Sequence, residues 1–204
     1  PAPLNKAAQT SMPLRIESQL TRESMQAKAR VLQDQIKITL GRLVSVVYVR
    51  DLSGPSVRVV RGGIAVGQSL TDMPSMRDNA VGLNLQLPSL DLDAWNNALT
   101  QLTGTSPLKR KASTKSVIGH EAAGADAQEY MPTFAALRAE QLKVTDRLIH
   151  NVVVGGSRQG DLWRLNIGAD ELNGSAEVRP PTGHMPAQLY VRLAYLNIPP
   201  SSVP

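Results

Sequence analysis

Cysteine is absent from this sequence of 204 residues, and aromatic residues make up only 3% of it, with Phe134 as the single phenylalanine. Without thiols, the chain cannot form disulfides, thiolate nucleophiles, iron–sulfur clusters or cysteine-ligated zinc sites. A base-stacking platform and an aromatic ligand cage both need several exposed rings, so neither is expected. The core must therefore be built from Val, Leu, Ile, Met and Ala.

Long apolar runs are also missing from the sequence. The longest stretches, such as residues 43–49, are far shorter than the roughly 20 apolar residues that cross a bilayer as a helix. The first fifteen residues contain no apolar core of signal-peptide length. We therefore expect an intracellular protein that is not embedded in a membrane.

Catalytic and metal-binding motifs are not found either. The glycine clusters at residues 62–67 and 155–160 miss the spacings of dinucleotide-binding and phosphate-binding loops, so they are interpreted as turns and bulges. The three histidines, His120, His150 and His184, are far apart in sequence. Acidic pairs near residues 91–93 and 170–171 are explained by helix capping and by a solvated turn. We expect no catalytic residue, no metal ligand and no cofactor, and the alternative is a small enzyme that uses His120 or His184.

Several segments carry the pattern of β-strands. Residues 43–50 and 56–61 are rich in β-branched side chains and flank a Gly-Pro turn, which predicts a hairpin, with a bulge at Gly62–Gly63. Residues 81–87 alternate apolar and polar side chains up to Pro88. Residues 147–154 and 162–167 predict a second hairpin around the second glycine cluster. Asn173–Gly174 predicts a tight turn, and residues 188–197 a last strand.

Helical periodicity is weaker and shorter. Met25, Ala29, Leu32 and Ile36 recur at steps of three and four, which predicts a helix over about residues 18–35. A short helix is expected after a cap at Ser89 or Asp91, ending before Gly104. Residues 133–143 are a third helix candidate.

The fold class predicted from these segments is mainly β (α+β). We expect an antiparallel sheet or sandwich with two or three peripheral helices and extended N- and C-terminal arms. Residues 1–15 are predicted to be an extended arm, residues 16–198 a single β-rich domain with a mobile basic loop at 105–128, and residues 199–204 an extended tail.

Positive charge is concentrated in that loop, because residues 105–118 carry four basic groups and no acids. Such a run can neutralise phosphates, and the alternative is a solvated loop that keeps the protein soluble. The residues predicted to contact nucleic acid or another anion are Lys109, Arg110, Lys111 and Lys115.

The proline-bearing ends suggest contacts between subunits, with docking on the same molecule as the alternative. The residues predicted to make these arm contacts are Pro1, Pro3, Leu4, Pro13, Leu14, Ile198, Pro199, Pro200 and Val203. We expect the partners to be copies of the chain itself and other assembly subunits, with nucleic acid as a further partner of the basic segments and no membrane partner.

The leading functional hypothesis is a non-enzymatic structural or assembly subunit of a homo-oligomer or larger complex. The specific example that we expect is a virion component, such as a phage capsid, decoration, or tail or neck protein. It would be found in the host cytoplasm or in the assembled virion. This choice rests on analogy and on no motif. The alternative hypothesis is an accessory protein that binds nucleic acid through the basic loop.

Overall fold

The computed structural model describes residues 11–26, 30–68, 77–95, 97, 129–145, 147–180 and 186–197. Most of these residues lie in ten β-strands, and the strands follow one another across a sheet in the order in which they occur in the sequence. The strands are β1 (Leu14–Leu20), β2 (Gln33–Leu40), β3 (Val44–Asp51), β4 (Arg58–Val66), β5 (Ala80–Asp91), β6 (Phe134–Val144), β7 (Arg147–Gln159), β8 (Leu162–Gly168), β9 (Leu172–Arg179) and β10 (Gln188–Leu196).

Neighbouring strands pair antiparallel from β1 to β4 and from β7 to β10, whereas β4 and β5 run parallel. The mainly β prediction is therefore confirmed. The ordered strands form one sheet, which replaces the sandwich alternative. The expectation of two or three helices is wrong, because one short helix is found within the part of the chain that the structure describes.

That helix, α1, follows β5 and includes residues 92–95 and 97. Asp91 caps it as predicted, since its Oδ1 accepts a hydrogen bond from the Ala94 N–H at 2.9 Å. This hydrogen bond lowers the pKa of Asp91 below its usual value. Lys143 lies 3.5 Å from the other carboxylate oxygen of Asp91. The carboxylate at this position is thus explained by helix capping.

In the described residues, neither of the two other predicted helices forms. Residues 18–26 and 30–35 contain the end of β1, a turn and the start of β2, and these residues include one helical turn, where the Met25 N–H bonds to the Thr21 carbonyl at 3.2 Å. The helical spacing of Met25, Leu32 and Ile36 is therefore a coincidence, because these residues lie on both sides of that turn. Residues 133–143 belong largely to β6. Their Ala, Leu, Glu and Lys content favours helix, but pairing within the sheet overrides this weak local preference.

Both predicted hairpins form, with different details. In β3–β4 the register shifts between Val49 and Arg50, so the extra residue is Val60 and the predicted bulge at Gly62–Gly63 is wrong. In β7–β8 the strands extend through the glycine cluster and the chain turns at Gly160, whose φ is +58°.

Two further turn predictions are wrong. Asn173–Gly174 lies within β9, and the chain turns just before this strand, where the Ala169 N–H bonds to the Leu172 carbonyl at 2.8 Å. Pro88 does not end β5, which continues to Asp91. The predicted last strand is confirmed as β10.

The chain divides into two compact units. The first unit contains residues 12–86 and, of the later residues described, 129–135, and its buried side chains are those of Val47, Val49, Ala65 and Val81. The second unit contains residues 11, 87–97 and 136–197 of the described chain, and its buried side chains are those of Leu90, Ala139, Val152 and Ala176.

The predicted arms and loop lie mostly outside the described residues, which do not include 1–10, 98–128 or 198–204. At the N-terminal end, β1 already begins at Leu14, within the segment expected to be an arm. The predicted domain boundaries stay predictions. Within the described ranges, no helix has both the length and the apolar character needed to span a membrane.

Candidate functional site

The first unit carries an aliphatic surface on one face of strands β1 to β5. One row across the strands consists of Leu14, Leu40, Val44, Val66 and Leu85. Directly opposite residues in neighbouring strands share a face of the sheet, so the next row on this face lies two residues along each strand. It consists of Ile16, Ile38, Val46, Ile64 and Leu83. We call these ten residues the first aliphatic face.

None of the ten side chains of the first aliphatic face is sealed from solvent. Leu14 is 61% exposed and Ile16 is 64% exposed, and the other eight are half-buried. On the opposite face of the same strands, Val47, Val49 and Ala65 are buried. The unit therefore buries most of its core on one side of the sheet, and the other side carries an incompletely covered aliphatic surface beside the buried Val81.

The sequence builds this surface by strict alternation in β1 and β2. Between the aliphatic residues of these strands lie Arg15, Glu17, Lys37 and Thr39, which the register places on the opposite face. Arg15 and Glu17 form an exposed ion pair at 2.6 Å. A side-chain period of two thus separates charged from aliphatic residues near the edge of the sheet.

An ion pair ends the first aliphatic face. Asp34 and Arg50 lie opposite each other in β2 and β3, four residues from Ile38 and Val46 respectively and on the same face. Arg50 donates from Nε to Oδ1 of Asp34 at 3.0 Å and from Nη2 to Oδ2 at 2.5 Å. The hydrogen bond from Arg50 lowers the pKa of Asp34 against the opposing effect of burial, and the pKa of Arg50 is raised.

One row lies between this ion pair and the two aliphatic rows, and it consists of Ser18, Ile36, Tyr48, Gly62 and Val81. A Cβ atom on Gly62 would lie 2.5 Å from the Tyr48 ring, so only glycine lets that ring cover the neighbouring strand. The Tyr48 hydroxyl donates to the Tyr130 carbonyl at 3.0 Å, and the two rings meet edge to face at 5.1 Å. Burial raises the pKa of Tyr48. These contacts close the surface next to the Asp34–Arg50 ion pair, which is its polar boundary.

The second unit has a comparable surface on strands β7 to β10. One row contains Gly156, Leu165, Ala176 and Val191, and the rows on either side add Val154, Ile167, Leu193, Trp163, Val178 and Leu189. We call these apolar residues, without Gly156, the second aliphatic face. The opposite face carries Arg164 and Glu177, which form an ion pair at 3.2 Å.

A cleft of about 330 Å³ lies at one end of the second unit. Its lining is mainly aliphatic and consists of Val144, Thr145, Arg147, Leu148, Ile149, Glu171, Leu172 and Leu196. Beside it, His150 holds the Glu171 carboxylate through its backbone N–H at 2.8 Å and its Nδ1 at 2.6 Å. Burial raises the pKa of Glu171, but the hydrogen bonds from His150 outweigh burial and leave this pKa below its usual value.

The four basic residues predicted to contact nucleic acid, Lys109, Arg110, Lys111 and Lys115, lie outside the described residues, and so do His120 and His184. Most of the predicted arm contacts lie outside them too, namely Pro1, Pro3, Leu4, Ile198, Pro199, Pro200 and Val203. Pro13 and Leu14 are described. The Pro13 carbonyl accepts a hydrogen bond from the Gly41 N–H at 2.8 Å, and Leu14 joins the first aliphatic face. The predicted contact roles of all these residues stay predictions.

The acidic groups with shifted pKa values have structural partners. Asp34 binds Arg50, Asp91 caps α1, Glu171 binds His150, and Asp51 has a lowered pKa because it accepts hydrogen bonds from Ser53. Within the described part of the chain, no three His, Asp or Glu side chains are grouped as metal ligands. That the chain is not an enzyme stays a prediction.

Sequence reasoning missed the first aliphatic face. Its clearest signal is the alternation in residues 14–20 and 36–40, which the competing helical stripe through Met25 and Leu32 obscured. The alternation in residues 81–87 was recognised, but one strand with a buried face does not reveal how far the apolar surface extends.

Comparison with known proteins identifies one family. The model of the YhdP protein family matches residues 1–204. No curated protein and no solved structure gives a significant match. The prediction of a virion or capsid component is wrong, because this family is one of bacterial cell envelope proteins.

Proposed function

Since the chain belongs to the YhdP protein family of bacterial cell envelope proteins, we propose that it is a binding module whose first aliphatic face takes up the acyl chains of lipids. The observation that carries this proposal is the pair of five-residue aliphatic rows, none of whose side chains is sealed. An aliphatic surface of this extent in a folded protein normally has an apolar partner.

The chemistry of the surface favours a hydrocarbon chain as that partner. All ten side chains are Leu, Ile or Val, which offer no hydrogen-bonding group and no aromatic ring. A ligand held here gains affinity from the area that it removes from water, about 0.8 kcal/mol for each buried methylene. Recognition would therefore depend on apolar length rather than on a particular polar group.

The dimensions of the rows also suit an acyl chain. Five neighbouring strands at a spacing of about 4.8 Å place the first and last side chains of a row about 19 Å apart. A phospholipid acyl chain spans one leaflet, which is about 15 Å of hydrocarbon. A single row is thus long enough to cover one chain, and two parallel rows form a strip on which it can lie.

The polar boundary indicates the edge of the sheet at which an acyl chain enters. Asp34 and Arg50 are paired with each other and are mostly buried, so they limit the aliphatic strip without offering a free charge to it. The exposed end of the strip is at β1, where Leu14 and Ile16 are the most accessible of the ten residues. We expect an acyl chain to enter from the β1 edge.

The test compares charged substitutions on the two faces. Ile16→Glu and Ile38→Glu put a carboxylate on the first aliphatic face, and Thr39→Glu puts one on the opposite face, across from Arg15. Binding is measured with a phospholipid that carries a fluorescent acyl chain, offered in vesicles of phosphatidylethanolamine and phosphatidylglycerol. A second arm uses a free fatty acid with the same label, which separates the two sources of acyl chain.

The parent protein and Thr39→Glu should bind the labelled chain, and Ile16→Glu should lose at least tenfold in affinity. Ile16 is mostly exposed, so this variant should keep the fold, as circular dichroism would check, and it remains decisive if Ile38→Glu unfolds. Equal binding by Ile16→Glu, Thr39→Glu and the parent, or no binding by the parent in either arm, would refute the proposal.

A further inference from the structure

Strand β10 at the edge of the second unit is exposed along its whole length. All nine of its residues are exposed, including Leu189 at 69% and Tyr190 at 68%. It is the last strand in the sheet order, and of the strands that the structure describes only β9 pairs with it. Long apolar edge strands are ready templates for the addition of another strand.

The hydrogen bonds of the neighbouring strands show which backbone groups of β10 point outward. The Ala169 N–H donates to the Leu172 carbonyl, so these two residues form a hydrogen-bonded pair at the turn that joins β8 to β9. Hydrogen-bonded pairs alternate along an antiparallel ladder. The backbone N–H and C=O groups of Ser175 and Glu177 therefore point toward β10, whereas those of Gly174, Ala176 and Val178 point toward β8.

The same alternation continues into β10. Tyr190 and Arg192 lie opposite Glu177 and Ser175, so their backbone groups bond to β9. The bond from the Asn197 N–H to the Glu171 carbonyl at 2.6 Å agrees with this assignment. Leu189, Val191 and Leu193 therefore direct their N–H and C=O groups to the outer edge. These three residues also belong to the second aliphatic face.

We propose that β10 pairs antiparallel with β10 of a second copy of this chain, in a register centred on Val191. This register places Val191 opposite the same residue of the other copy and Leu189 opposite Leu193. All three are outward-facing residues, so the backbone groups of the two strands can form hydrogen-bonded pairs. On the aliphatic side, every contact across the two-fold axis is then between aliphatic side chains.

The charges in β10 agree with this register. On the other side of the sheet it places Tyr190 opposite Arg192 twice, and a guanidinium over a tyrosine ring is a favourable pairing. Centring the pair one residue later would place Arg192 opposite Arg192, which is unfavourable. The β10 sequence is thus complementary to itself in one register, as a two-fold interface requires.

The pairing would join the second aliphatic faces of the two copies. Opposite residues in an antiparallel pair share a face, so both aliphatic surfaces would lie on the same side of the shared sheet. The inference does not rest on acyl-chain binding by the first unit, and either proposal can fail without the other.

The first experiment measures the mass of the chain in solution over a series of concentrations up to about 1 mM. We expect the 22.0 kDa chain to approach twice this mass as concentration rises. Val191→Pro removes an outward N–H without breaking a bond to β9, and it should raise the dissociation constant at least tenfold. The matched control is Ile16→Pro at the other sheet edge.

Ile16 is a matched position because its N–H also points outward, as the hydrogen bond from Gly41 to the Pro13 carbonyl implies. Ile16→Pro should dimerise as the parent does. If it also blocks association, β1 pairs with β10 head to tail and the proposed two-fold pairing is wrong. A parent chain that remains monomeric at every concentration also overturns it.

The second experiment tests the register by oxidation of single cysteines, which the absence of native cysteine makes unambiguous. Val191→Cys should form a disulfide-linked dimer, because directly opposite Cα atoms lie about 5.5 Å apart. Leu189→Cys should not, because its two copies would be offset by about 14 Å along the strands. Equal cross-linking of the two variants, or none by Val191→Cys, would contradict the register.

Discussion

Replacing Asp34 by Asn tests the contribution of the ion pair at the end of the first aliphatic face. The substitution keeps the size of the side chain but removes the charge that two hydrogen bonds from Arg50 neutralise. It also leaves an amide group beside the guanidinium. Because the side chain of Asp34 is only 8% exposed and that of Arg50 21%, water replaces the lost partner poorly.

The expected loss of stability follows from this burial. Removing one partner of a buried ion pair costs about 3–5 kcal/mol, whereas exposed pairs contribute about 0–1 kcal/mol. Arg50 keeps some contact with water, so we expect a loss of about 3 kcal/mol, near the lower limit. For a chain of this length, that loss lowers Tm by about 6–12 °C.

The pH dependence provides a second check with a defined sign. The pKa of Asp34 is lowered in the folded protein from its usual 3.8. The pair therefore stabilises the fold fully above this value, and its contribution is lost as the pH falls through the lower folded-state pKa. The difference between the parent and Asp34→Asn should shrink below about pH 4.

The assay is denaturant unfolding at neutral and acidic pH, with Glu17→Gln as the control. Glu17 pairs with Arg15 at the surface, where their side chains are 43% and 72% exposed, so its loss should change stability by less than about 1 kcal/mol. If Asp34→Asn costs no more than Glu17→Gln, the reasoning from burial is refuted.

Two further substitutions test the packing of the sheet, and a third tests a charged hydrogen bond. Gly62→Ala places a Cβ atom 2.5 Å from the Tyr48 ring and should lower the unfolding free energy by about 1–3 kcal/mol. An unchanged unfolding free energy would contradict this close approach. Gly155→Ala meets no atom within 4 Å and should stabilise the protein by about 0.4–1 kcal/mol, so a clear loss would contradict the open space shown there. Glu171→Gln should lower Tm at neutral pH but not below the lowered pKa of Glu171, and a pH-independent effect would exclude the charged bond to His150.

The strands with strict alternation or many β-branched residues could be predicted from the sequence. The segments now assigned to β3 and β4 are rich in β-branched residues, the β5 segment alternates over residues 81–87, and the positions of these strands were predicted to within a few residues. In such segments the local preference and the burial of one face favour the same structure. Asp91 could also be identified as a helix cap, because its hydrogen bond from the Ala94 N–H lies within three residues in sequence.

Residues 133–143 show why other segments could not be predicted. Their composition favours a helix by a few tenths of a kcal/mol per residue, and the pairing that makes them a strand depends on partners distant in sequence. The parallel pairing of β4 with β5 is also invisible locally, because it depends on the path of the connection between them. Glycines in the interiors of β7 and β9 were interpreted as turns, whereas they allow close approach of Leu165 and Leu193.

The candidate site could be predicted only in its parts. Each aliphatic residue of the first aliphatic face lies in a segment that the sequence marks as apolar, but the surface exists only when five strands are in register. The sequence drew attention instead to charged and proline-rich segments, which stand out in composition. Exposed aliphatic side chains do not stand out, because the same residues also build cores.

The proposal that the first aliphatic face holds acyl chains is tested most directly by photochemical cross-linking from single positions. A benzophenone amino acid is placed at Ile38 on this face, or at the adjacent Lys37 on the opposite face, and the protein is irradiated with vesicles of phosphatidylethanolamine and phosphatidylglycerol. The account predicts a lipid adduct by mass spectrometry at Ile38 and none at Lys37. Equal adducts at both positions, or an adduct at Lys37 alone, would contradict it.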